Sequence, residues 1–123
     1  MLHFRDFEIG RSVGRCEIPA DAAALCLGEV GAMRSDTLSR ADLLAFLMRG
    51  YCSIVTPRPP GNIHASQSVR FLGNARFGDA LEMHIACVDK AEKNDRLWLC
   101  FEAGIHRSAA KVLEAKLTFI WAA

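Results

Sequence analysis

The sequence predicts one small α+β domain, residues 1–123, in which an antiparallel sheet of about five strands wraps one long apolar helix. Three observations carry this expectation. The chain has 123 residues, enough for one core. Its C-terminal half holds successive segments in which apolar residues recur at every second position, the period of a half-buried strand. Upstream of them, Leu38 to Val55 is apolar on most sides and reads as a buried helix.

Taken in order, Ser12 to Ile18 is expected as an edge strand and Ala20 to Leu27 as a short helix. The long helix shows Leu43, Leu44, Phe46, Leu47, Tyr51 and Ile54, and Ser39-x-x-Asp42 has the spacing of a capping box. Thr56-Pro57-Arg58-Pro59-Pro60-Gly61 cannot continue it. Four strands follow: Ile63 to Leu72, Ala80 to Val88, Arg96 to Ala103 and Val112 to Trp121. The first sets Ile63, Ala65, Val69 and Phe71 against His64, Ser66, Ser68 and Arg70. The second turns Leu81, Met83, Ile85 and Cys87 inward, the third Leu97, Leu99 and Phe101, and the fourth Leu113, Ala115, Leu117, Phe119 and Trp121. Short polar links between consecutive strands predict a four-stranded antiparallel meander.

Composition excludes several function classes. With 51% hydrophobic and 24% charged residues the chain is an ordinary globular sequence. A net charge of +1, with both signs interspersed, supplies no field for nucleic acid or an anionic membrane. Cys16, Cys26, Cys52, Cys87 and Cys100 are widely spaced and read as reduced, mostly buried residues. No Cys or His spacing calls for a metal, and no motif calls for a redox cofactor. No apolar run is long enough to span a membrane, and the first residues lack a signal-peptide core, so a cytoplasmic protein is expected.

A sheet with one apolar face and one apolar helix buries both by wrapping, which is the hotdog arrangement. Within that fold the sequence resembles the MaoC-like acyl-CoA hydratases and dehydratases. Phe4-Arg5-Asp6-Phe7-Glu8-Ile9-Gly10 is similar to the family's start, and Pro60-Gly61, Ser66 to Leu72 and Phe77-Gly78-Asp79 resemble its central strands and the Gly-Asp turn after them. The catalytic stretch departs from the family. Where relatives carry Gly-Asp-x-Asn-Pro-x-His-x-Asp, this chain has Gly28-Glu29-Val30-Gly31-Ala32-Met33-Arg34-Ser35-Asp36. Gly28 and Asp36 match, Glu29 replaces the Asp, and Arg34 replaces the His. A guanidinium stays protonated and cannot relay the proton that the histidine would. The family's His-Gly at the start of the long helix is replaced by Ala41-Asp42.

What the resemblance implies is an acyl-thioester protein whose substrate carries coenzyme A or acyl carrier protein, with no separate cofactor. Glu29 and Asp42 are the candidate catalytic carboxylates, each with a competing reading: a solvated helix-end group for Glu29, a helix cap for Asp42. Arg34, Asp36 and Arg70 are the candidate substrate-binding residues, with a surface ion pair to Glu29 or Asp36 as the alternative for Arg34 and a scattered surface cation as the alternative for Arg70. Arg76 and Lys90 read as scattered surface cations. His64, on the wet face of its strand, and His84, with no Cys or carboxylate at motif distance, read as structural. Ser66 and Ser68 lack a nucleophile elbow. Three functions stay open: a hydratase/dehydratase-type lyase with altered catalytic residues, a thioesterase, and a non-catalytic binding or partner subunit. The resemblance implies a homodimer paired edge to edge.

Overall fold

The computed structural model describes residues 1–19 and 37–123. Five strands form one antiparallel sheet: β1 (Ser12–Pro19), β2 (Ile63–Phe71), β3 (Ala80–Lys93), β4 (Arg96–Arg107) and β5 (Ala110–Trp121). The expected short helix at residues 20–27 lies outside the described residues. Among the described residues one α-helix is present, α1 (Arg40–Ile54), of 15 residues.

The period-two readings of β3, β4 and β5 hold. Leu81, Met83, Ile85 and Cys87 are each 1% exposed or less, and so are Leu99 and Phe101. The strands run past their expected ends, because two tight turns replace longer loops. Asn94 and Asp95 both take positive φ, 55° and 60°, the pair that a type I′ hairpin requires. Ser108 does so alone, φ 53°, between β4 and β5.

The four-stranded meander is corrected. Strand order is β1-β3-β4-β5-β2, so only β3, β4 and β5 form consecutive hairpins. β2 pairs with β5 instead of β3, and the connector 72–79 returns the chain across the sheet. Its length permitted a hairpin, but β3 is already flanked by β1 and β4, which fill both of its edges.

Of the four register shifts in the described sheet, two reverse expected faces. One between His64 and Ser66 moves Ile63 to the outer side, 54% exposed, and sets His64 on the inner side with its ring stacked 4.5 Å from that of Phe119. The expected face assignment of Ile63 and His64 is thereby reversed. The other, between Cys87 and Asp89, turns Lys90 inward, where its Nζ donates to the Phe7 carbonyl at 2.8 Å and lies over the Phe4 ring. Lys90 is therefore a tether of the N-terminal segment, not a scattered cation.

α1 buries one face, Leu43, Phe46, Leu47, Gly50 and Tyr51, and exposes Ala41, Ala45, Arg49, Cys52 and Ser53. It is amphipathic, and the expectation of a helix buried nearly all round is corrected. It packs on β1 and β3. Gly50 is what permits the approach: a Cβ there would fall on Met83 Sδ and lie 3.2 Å from Ile18 Cδ1. At the end of the core, Phe7 packs edge-on against Phe101 and Trp121, both at 5.3 Å, while Trp121 Nε1 donates to the Leu2 carbonyl. The four described cysteines are free, but only Cys87 is buried, and Cys52 is exposed.

Candidate functional site

The corner where the chain enters α1 holds Asp42, the candidate catalytic residue that falls among the described residues. Ser39 takes an extended backbone and caps the helix; its Oγ accepts the Asp42 N–H at 3.1 Å, and Asp42 Oδ2 accepts the Ser39 N–H at 2.8 Å. Asp42 is 1% exposed, so the carboxylate lies inside the corner, where the positive end of the helix favours an anion. The competing cap reading of Asp42 is what the geometry shows.

Just before the cap, Thr37 bridges to Arg76, and the Leu38 N–H donates to the Ala75 carbonyl at 2.8 Å. The β2–β3 connector is thus laid against the start of α1. Its Phe77-Gly78-Asp79 turn is closed by Asp79: Oδ2 accepts the Arg76 N–H at 2.7 Å, and Gly78 supplies the φ of +94°. On the other side, the Arg40 guanidinium lies 5.0 Å from the centre of the Phe71 ring, which links the first turn of α1 to the end of β2.

The capping box uses the amides of Ser39 and Asp42, and leaves those of Arg40 and Ala41 outside it. Two N–H groups at a helix N-terminus, beside an edge strand, are suited to receive a carbonyl oxygen on which negative charge develops. Glu29, Arg34 and Asp36 lie outside the described residues. Arg70 is placed on the outer face of β2, with Nη1 3.6 Å from Glu114 Oε1, and does not converge on Asp42.

Sequence reasoning missed a second polar group on the outer face of the sheet. The expectation for His84 is of no carboxylate at motif distance, yet Glu82, two residues before it, lies on the same face with Oε1 2.5 Å from His84 Nε2. That contact holds the Glu82 carboxyl below its ordinary range. His106 of β4 joins them. Its imidazole is pushed below its ordinary value by burial first, then by His84 and Lys111. The signal was available as Glu-x-His in a period-two strand, since alternate residues share a face; the His106 neighbour was not, because it depends on register.

Comparison with solved structures places this architecture. A MaoC-like dehydratase from Rhodospirillum rubrum superposes with a TM-score of 0.78 at 18% identity, covering 98% of this chain and 97% of that one. The chain has the hotdog fold. An (R)-hydratase from A. caviae involved in PHA biosynthesis matches at TM-score 0.71 and 16% identity, over 96% of this hotdog chain and 99% of that one. A thioesterase from Thermus thermophilus, complexed with coenzyme A and Zn, matches at 0.68 and 12%, over 94% and 83%. No family profile matches the sequence, and no curated protein does at a significant level.

Proposed function

We propose that this hotdog chain binds acyl thioesters of coenzyme A or acyl carrier protein and is of the hydratase/dehydratase type with altered catalytic residues. The observation that carries the reading is the helix N-terminus at the β2–β3 connector, with the Arg40 and Ala41 amides outside the capping box, in a fold matched end to end by a MaoC-like dehydratase. There the two amides receive the thioester carbonyl oxygen. Glu29 acts as the base on water, since Arg34 cannot. Arg34, Asp36 and Arg70 meet the carrier, Arg70 from the edge strand. Asp42 preorganises the two amides through the cap. Fold similarity to thioesterases supports hydrolysis at the same place as a second reading. Such a substrate fits a protein of the cytoplasm.

The test is an assay of the purified chain and its Glu29→Ala variant against enoyl-CoA and saturated acyl-CoA thioesters. Loss of enoyl absorbance, absent in the variant, is the expected outcome. Release of free thiol instead establishes the hydrolytic reading. No reaction, and no acyl-CoA binding by calorimetry, overturns both. Asp42→Ala is less diagnostic, because losing the cap costs about 1 kcal/mol of stability by itself.

A further inference from the structure

The outer face of the sheet, turned away from α1, carries chemistry that the acyl-thioester reading does not use. Alternation along β3 puts Glu82 and His84 on that face, and pairing sets His106 opposite Glu82 and Gly104 opposite His84. The two imidazole rings stand 5.4 Å apart between centroids, inclined by 48°. Gly104 keeps the space beside them open: a Cβ there would lie 3.3 Å from His106 Cε1, 3.4 Å from Lys111 Cε and 3.8 Å from His106 Nδ1. The result is a hollow of about 290 Å³ bordered by Ser12, His84, Glu102, Gly104, His106 and Lys111.

Against the Glu82 carboxylate, His84 Nε2 is the donor, which leaves Nδ1 as the nitrogen that can ligate an ion. His106 Nδ1 is buried and has no hydrogen-bond partner among the described residues, an arrangement that structures seldom leave without a reason. A histidine ligand usually donates its other N–H to a carboxylate, as His84 does here. Two imidazoles sharing one tetrahedral ion, each nitrogen about 2 Å from it, bring their centroids to roughly 5 Å, close to the spacing observed.

We propose that His84 and His106 bind one divalent transition-metal ion of the Zn²⁺ class, with Glu82 orienting His84 and water completing the coordination. No three His, Cys, Asp or Glu side chains among the described residues are arranged to hold an ion, so the protein supplies two imidazoles. Imidazole donors select Zn²⁺ and its neighbours over Mg²⁺ or Ca²⁺, which prefer oxygen. The adjacent cations are already matched: Arg15 Nη1 is 3.6 Å from Glu82 Oε1, and Lys111 Nζ is 3.6 Å from Glu114 Oε2. Glu102 adds a negative charge on the rim.

Calorimetric titration of the chelator-treated full chain with ZnCl₂ at neutral pH tests this. One ion per chain is expected, weakened at least about 10-fold by His84→Asn or by His106→Asn, and about 10-fold by Glu82→Gln, which removes only the orienting carboxylate. His3→Asn and His64→Asn leave the affinity unchanged, and MgCl₂ does not compete. Histidine ring resonances of the unsubstituted chain give a readout independent of any variant's folding: those of His84 and His106 move on adding Zn²⁺, and those of His3 and His64 stay. Absence of Zn²⁺ binding, binding that survives loss of either imidazole, or movement confined to His3 or His64 overturns the proposal.

Discussion

His106 couples its own titration to the stability of the chain. Burial, the facing His84 and Lys111 hold its folded-state pKa below the ordinary 6.5, while Glu82 opposes them weakly. The unfolded chain therefore takes up this proton first as pH falls. Stability is unaffected by His106 well above 6.5, and declines from there down to its lower folded value. Glu82 acts in the same direction in a different window. Its folded pKa is depressed, chiefly by the hydrogen bond from His84, so its contribution is present above the ordinary 4.5 and lost as pH falls below that. Denaturant melts of metal-free protein at stepped pH should show a first decline just under pH 6.5 that His106→Asn flattens, leaving the acid limb in place. An unchanged first decline in the variant would contradict this account. Asp42 illustrates the other side of residue-scale reading: Ser-x-x-Asp ahead of an apolar run names a capping box from spacing alone, and the structure contains it.

At the scale of elements, β2 is the exposed one. It stands at one edge of the sheet, pairs only with β5, and no residue along it is buried. A nine-residue edge with unpaired N–H and C=O groups is a template for another strand, and two-fold pairing of two copies satisfies both edges at once. We expect a dimer in sedimentation velocity, twice the 13.5 kDa of the chain. Gln67→Pro and Ser68→Pro, made separately, remove one N–H from each side of the strand, and the one whose N–H faces the open edge should give monomers that stay folded by circular dichroism. Dimers that persist in both variants would place the interface elsewhere. Strand periodicity made β3, β4 and β5 legible, yet β2's partner was not, because a loop's length does not say which edge is already occupied. The two bulges were equally silent, since inserting one residue reverses a face without leaving a mark in composition.

For the whole molecule, the fit of α1 on the sheet rests on one missing side chain. Gly50 receives Met83 Sδ, and Ile18 closes the notch from β1. Gly50→Ala raises the helix propensity by up to about 1 kcal/mol but overpacks this buried contact, for a net loss of about 1–2 kcal/mol. Met83→Ala alone leaves a cavity and costs roughly 2–4 kcal/mol. Because the two side chains compete for the same space, the double variant should be more stable than the sum of the single losses predicts. Strict additivity in urea denaturation would show that the notch accommodates a methyl group without displacing Met83.

Much of this protein is determined by the sequence itself. The one-domain size, the capped helix, the strand faces of β3 to β5 and the edge strand at Ser12 follow from local rules of period, capping and chain breaking, each of which acts over a few neighbouring residues. The resemblance to MaoC-like proteins likewise rests on short motifs and agrees with the fold found. Strand order, the inward turn of His64 and Lys90, the exposed face of α1, and the meeting of His84 with His106 were decided only by the tertiary structure. Each depends on register between segments distant in the chain, where a shift of one residue changes every neighbour and leaves the local pattern intact.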